Sequence, residues 1–349
     1  MPSDQEMELA STAYKVVRDL CNLQPGEDLL ITVDSAGPWR VAEETAKAGA
    51  ALGAKVMVAW HSTPPGYGRA ADPYLPDSLH AAIPKTDVWV EYNYQWLLYG
   101  KAWEEALADA KRVRYLFLGG LSVDQIIRTV GKVDLRLQKE FQDRLVEMTA
   151  KATAMRITTP AGTDVTFENV PGRPVTNEGW ATAVGPHFLL GQIAWAPLEE
   201  SINGTIVFDG SFSGGGEADL GVLKQPITFR MKDGRWHDIS GGAEAAFVRG
   251  WFERLGDEAM HNVAHVCYGF NPGARLSGLC TEDERVWGST EWGFGYQGVM
   301  YGGNAGPAAT HVDAICLNSS VWLDGSHVID EGKLVEPRLA ELAHRMGKQ

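Results

Sequence analysis

Apolar positions in the first ~150 residues fall into two alternating textures. Short continuous runs, Asp28 to Val33, Lys55 to Trp60, Asp87 to Tyr92 and Arg114 to Leu118, predict strands. Between them, Glu6 to Cys21, Trp39 to Leu52 and Ala102 to Ala110 have the mixed, Ala-rich pattern of helices. Strands that are apolar on successive positions, rather than every second one, belong to a parallel sheet covered on both faces. The expected N-terminal domain is therefore α/β with a mostly parallel sheet. Asp34-Ser35-Ala36-Gly37-Pro38 follows the first strand where a dinucleotide site would have G-x-G-x-x-G, so the layer reads as scaffold.

From Ala154 the pattern changes. Met155 to Thr159, Asp164 to Phe167, Thr205 to Phe208 and Ile227 to Met231 alternate polar with apolar, and Gly, Pro and Asp turns separate them. Ala243 to Leu255 predicts a helix. Gly214-Gly215-Gly216 reads as a flexible loop, since no helix or Lys-Ser/Thr pair follows it. The Gly- and Trp-rich run from Val286 to Pro307 reads as a loop system, either beside a site or simply packed on the surface. The expected division is an α/β domain over 1–150 and a β-rich α+β, metal-binding catalytic domain over 151–349.

Composition narrows the function classes. A chain of 349 residues that is 44% hydrophobic can build two cores. A net charge of −14 with no basic run argues against nucleic acid. No stretch reaches the roughly 20 apolar residues of a membrane span, and MPSDQEMELA lacks the features of a secretory leader, so a cytoplasmic location is expected. Cys21, Cys267, Cys280 and Cys316 are scattered without a C-x-x-C and read as reduced core residues.

The candidate chemistry lies near the C-terminal end, in His265 and the pair His311 and Asp313. Two imidazoles and a carboxylate form the minimal set that holds Fe(II) and leaves positions open for substrate and dioxygen. On a strand, residues 311 and 313 project from one face and can grip one ion. An isolated H-x-D is also common without a metal, so spacing alone leaves the assignment open. His61, His80, His237 and His344 fall at expected turns or helix ends and take no role. His261, four residues before His265, is the nearest decoy. Trp287, Trp292, Phe294, Tyr296 and Tyr301 could wall an aromatic pocket or fill a core.

The order His265, a glycine-containing aromatic loop, His311-x-Asp313 and Leu323-Asp324-Gly325 resembles the family that unites thermophilic-type metallo-aminopeptidases with 2,5-dihydroxypyridine 5,6-dioxygenases. The likeness is more specific from Glu178 onward. A dinuclear aminopeptidase would need two further Glu ligands; Asp257 stands in the place of one, in Leu255-Gly256-Asp257-Glu258, and Glu178 could be the other. The dioxygenase branch needs only His265, His311 and Asp313, and its match is closer. Gly241-Gly242-Ala243-Glu244 and Asn262 to Gly269 resemble its approach to the first ligand, and His187 falls where it has a catalytic His. The resemblance implies Fe(II) as cofactor, dioxygen and a small aromatic ring as partners, a homo-oligomer, and N-formylmaleamate as product from 2,5-dihydroxypyridine. It implies Tyr99, Glu178, Tyr268 and Tyr296 as substrate-binding residues. Tyr99 departs from the family, which has a His after the Leu-Leu pair, and this puts the identity of the ring in doubt. A third reading, a carbohydrate-binding protein suggested by 12 Trp, gives no reason for the ligand set.

Overall fold

The computed structural model describes residues 4–107 and 112–348. They form two compact units, the first running through Val133 and including Glu178–Leu190, the second comprising Asp134–Asn177 and the chain from Gly191 onward. The chain thus changes unit before the expected boundary at residue 150, and it revisits the first unit for one strand. No helix among the described residues is long and apolar enough to cross a membrane.

In the first unit, five strands pair in parallel in the order Lys55–His61, Asp28–Asp34, Val88–Glu91, Arg114–Phe117, Gly185–Phe188. Leu29, Leu30, Ile31, Val33, Trp89 and Val90 are all buried, as the continuous apolar runs require. Helix Asp4–Lys15 widens into a π turn over Val16–Leu20, and helix Trp39–Ala51 packs beside it. Gly49 lets helix Trp39–Ala51 approach the sheet, because a Cβ there would lie 2.5 Å from Leu29 Cδ2. The expected helix from Ala102 is present as Lys101–Leu107; its remainder lies outside the described residues.

Two buried carboxylates at the carboxyl ends of these strands hold the segment that follows the third. Asp34 Oδ2 accepts from the Gln95 amide at 2.9 Å. Glu91 accepts from the Leu97 amide and from the Tyr115 hydroxyl, each at 2.5 Å. Tyr99, two residues beyond Leu97, takes a left-handed conformation (φ 65°), which costs a non-glycine residue on the order of 1 kcal/mol. These anchors and the edge-on packing of its ring on Trp103, 5.3 Å between centroids, hold it there.

The second unit contains two antiparallel sheets. One has six strands in the order Asp219–Val222, Ser211–Ser213, His311–Cys316, Ser289–Gly295, Val263–Gly269, Gln192–Trp195. The other has eight strands and includes all four alternating segments expected from sequence. The sheets face each other through aromatic contacts, with Phe208 against Phe294 at 6.1 Å and Phe167 against Trp292 at 5.7 Å. Helix Ala243–Leu255 is present as expected. Helix Leu135–Lys151 starts at Asp134, whose carboxylate accepts from the amides of Arg136 and Leu137.

Burial, more than any other influence, raises the Glu91 carboxyl from 4.5 to about 8. A raised folded-state pKa contributes stability that is complete below about 4.5 and is lost as pH climbs through about 8. Glu91→Gln should therefore unfold at a higher urea midpoint than the parent at pH 9. The difference should vanish at pH 5, a contrast that urea titrations at the two pH values would measure.

Candidate metal centre

The centre is built on three neighbouring strands of the six-stranded sheet. In register, His265 pairs with Gly293 and Gly293 with Asp313; Cys267 pairs with Glu291, and Gly295 with His311. Paired residues share a face, so the side chains of His265, Cys267, Glu291, His311 and Asp313 rise from one side. Val266, Tyr268, Trp292, Phe294, Val312 and Ala314 alternate to the other side and enter the apolar core. Expecting a loop from Val286 to Pro307 overlooked this strand: Ser289–Gly295 is entirely buried. Gly293 is a vacated position beneath a polar side chain. A Cβ on Gly293 would lie 2.5 Å from His265 Cε1, so glycine leaves the space that the imidazole occupies.

The donor atoms converge. His311 Nε2 lies 2.9 Å from Asp313 Oδ1, and His265 Nε2 lies 3.7 Å from the same oxygen and 3.1 Å from Glu291 Oε2. The imidazoles lie nearly parallel, 5.0 Å between centroids. Around a divalent ion with bonds of about 2.1 Å, donors at right angles sit about 3 Å apart, which suits this spacing. His311 Nδ1 is 2.6 Å from the Tyr296 carbonyl, which can only accept, so that nitrogen carries the proton and Nε2 faces the carboxylate.

The electrostatics suit a bound divalent cation. His265, His311, Asp313 and Glu291 are all at most 4% exposed. Burial lowers His265 to about 3, so its ring is neutral. Burial also pulls His311 down, but the charge and hydrogen bond of Asp313 outweigh it and the net shift is upward. Burial pushes Asp313 up, but His311, together with His265 and a hydrogen bond with Glu291, outweighs it and holds the carboxyl below the usual carboxylate range. Burial, then Asp313 and Glu284, push Glu291 well above its ordinary value. His265 Nδ1 and Glu291 Oε1 have no hydrogen-bond partner. A divalent ion would offset the carboxylates and accept the imidazole lone pairs, so these residues fit a metal.

A second set of buried polar groups adjoins the first. Cys280 Sγ reaches Glu284 Oε1 at 2.9 Å and Asp313 Oδ2 at 3.6 Å. Glu284 pairs with Arg285 and accepts from Gln192 Nε2 at 2.9 Å; Gln192 Oε1 in turn accepts from Arg285 at 2.5 Å. Sequence reasoning missed these residues, because Thr281-Glu282-Asp283-Glu284-Arg285 looks like a solvated face. All five are buried. Glu282 and Asp283 are held inside by the amides of Arg275, Ser277 and Gly278. Glu291 did leave a signal, the alternation of Ser289, Glu291, Gly293 and Gly295 with Thr290, Trp292 and Phe294.

The other expected site residues fall in both units. Tyr99, Glu178 and His187 belong to the first unit. Glu178 is buried and accepts from the Phe188 amide at 3.2 Å, immediately after His187. His187 Nε2 lies 2.8 Å from the Ala183 carbonyl, and burial lowers its pKa. In the second unit, Tyr268 is not brought to the ligands: it projects from the opposite face, packs on Trp195 at 4.7 Å and meets Thr149 Oγ1 through its hydroxyl. Tyr296 reaches the centre through its carbonyl, and the Tyr301 ring lies 4.9 Å from that of His265. Trp292 is core. His261 stacks on Trp236 at 3.8 Å, away from the ligands' grouping. Asp257 accepts from the amides of Ala259 and Ala309, and Glu244 from those of Lys224 and Gln225.

Gly293→Ala tests the cradle. The added methyl should displace His265 and weaken binding of a divalent ion at least ~10-fold, as ligand-orienting changes do, while the apolar face keeps the fold. Metal titration alongside thermal unfolding would measure both effects.

Comparison with known proteins agrees with this geometry. A family model described as NicX, 2,5-dihydroxypyridine 5,6-dioxygenase, matches residues 10–336. The 2,5-dihydroxypyridine 5,6-dioxygenase of Pseudomonas putida KT2440 is 25% identical over 201 residues, a stretch covering 54% of this chain and 55% of that protein. The match thus spans little more than half the length of this curated relative. The solved structure of 2,5-dihydroxypyridine dioxygenase from the same organism superposes with a TM-score of 0.78 at 19% identity, covering 97% of this chain and 100% of that one. Wild-type AmpT from Thermus thermophilus gives 0.64 at 14% identity, over 95% and 99% of the chains, so the likeness to both structures is one of fold. With 10–336 matched, the chain belongs to the NicX, 2,5-dihydroxypyridine 5,6-dioxygenase, family.

Proposed function

We propose that this protein is a mononuclear Fe(II) dioxygenase that opens a hydroxylated N-heteroaromatic ring, 2,5-dihydroxypyridine or a close analogue. The observation that carries the reading is the grouping of His265, His311 and Asp313 on one buried sheet face. Bound by these residues, Fe(II) would supply open coordination positions and electron density for the reaction of dioxygen with the ring. The product would contain both oxygen atoms, as N-formylmaleamate does. The two-ion peptidase reading finds less support, because Asp257 engages backbone amides through both oxygens.

The remaining residues handle the proton and the ring. His187 Nε2–H donates to the Ala183 carbonyl, which leaves Nδ1 bare, and its lowered pKa keeps the ring neutral. His187 Nδ1 then takes the proton of a ring hydroxyl, which makes the ring electron-rich, and returns it after ring opening. Glu178 is a positioning residue that holds the amide next to this histidine. Tyr99 offers one hydroxyl to a ring oxygen or nitrogen where the family has an imidazole, so it selects among ring substituents.

Anaerobically purified, Fe(II)-loaded protein given 2,5-dihydroxypyridine should consume one dioxygen per ring lost, and His265→Ala should consume none. Two ions per chain without oxygen uptake would instead support the peptidase. A general base must be neutral to act, and the pKa of His187 is lowered, so kcat/KM should persist below the ordinary histidine value of about 6.5 before it falls. His187→Gln should lower the rate ~10²-fold or more and abolish that acid limb in the pH profile.

A further inference from the structure

The two imidazoles of the centre are held differently. His311 Nδ1 gives its proton to the Tyr296 carbonyl at 2.6 Å, the usual way in which a metal-bound histidine is kept in one orientation. His265 has no such tie. Its Nε2 faces the carboxylates of Glu291 and Asp313, and its Nδ1, in a residue only 3% exposed, meets no hydrogen-bond partner. Packing borders this ring instead. The Tyr301 ring lies 4.9 Å from it, centroid to centroid, with the two planes 32° apart, and Gly293 leaves bare backbone beside Nδ1, Cε1 and Nε2.

Tyr301 is itself firmly seated. It is buried, yet it stands apart from the main core in a small cluster with Ala194, Ala196 and Cys267, against which Met300 packs. Cys267 lies on the ligand face of its strand and pairs with Ala194, so small side chains on that face leave the room that the tyrosine fills. The segment that carries Tyr301 is pinned to the strand of His265, because Gln297 donates to the Ala264 carbonyl at 2.6 Å and accepts from the Ala305 amide at 3.3 Å.

We infer that Tyr301 is a positioning residue of the metal centre: its ring does for His265 what the Tyr296 carbonyl does for His311, fixing the angle at which Nε2 meets the ion. The inference rests on the metal reading above and adds no ligand to it. A tyrosine placed only to fill the core would sit among the apolar side chains of the opposite face, with Trp292 and Phe294. The contact is between rings, so the aromatic face carries the role and the hydroxyl does not.

Co(II) binding to the metal-free full chain tests this, with affinity read by chelator competition and donor geometry read by the visible Co(II) absorption. Tyr301→Ala should weaken Co(II) about 10-fold or more and change the absorption band, since the imidazole is then free to turn. Tyr301→Phe keeps the ring and should match the parent in both affinity and band. Tyr301→Leu, run in case the Ala variant does not fold, fills the space without a flat ring and should bind more weakly than the Phe variant. Parental affinity and band in a folded Ala or Leu variant, with binding lost in His311→Ala, would overturn the positioning role and leave the metal centre standing. A Phe variant as weak as the Ala variant would overturn it too, because the hydroxyl would then be what matters. Co(II) binding that His311→Ala does not disturb would instead overturn the metal centre, and the role of Tyr301 with it.

Discussion

The structure of the second unit depends on the pleat of one antiparallel sheet. Side chains alternate by strand position, so one face of three adjacent strands is hydrocarbon and the other carries imidazoles and carboxylates. Trp292 and Phe294, which anchor the apolar face, separate Glu291, Gly293 and Gly295 on the polar one. A slip of one residue would bury the acids in the core and turn the aromatics outward. The register that stabilises the fold is therefore also the register that assembles the ligands.

This coupling explains what the sequence conveyed and what it concealed. The parallel strands of the first unit were legible because burial on both faces leaves uninterrupted apolar runs, as in Leu29 to Val33. His311 and Asp313 were legible as a pair because their spacing matches the strand period. Ser289–Gly295 was concealed by its two glycines and its glutamate, which resemble a loop until the space that Gly293 leaves for His265 is known. The acidic run around Glu284 was concealed because charge ordinarily signals solvent, and only the loop amides and Arg285 reveal why it is inside.

Domain limits were hidden for a different reason. Helix Leu135–Lys151 went unread from sequence, although its cap at Asp134 and its apolar positions Leu137, Phe141 and Leu145 have helical spacing. The unit it belongs to depends on contacts distant in sequence. Likewise, Gly185–Phe188 is too short and too mixed to declare itself the last strand of a sheet whose other members end at Phe117.

The placement of that strand has consequences for how the polypeptide is made. The Arg114–Phe117 strand is complete only when residues 185–188 have been synthesised and have paired along it. Until then, a nascent chain holds four parallel strands with an apolar, unpaired border, the kind of edge that recruits other chains. Folding of the N-terminal unit cannot finish in N-to-C order, and the interval between residues 117 and 185 is when newly made copies are most exposed to aggregation.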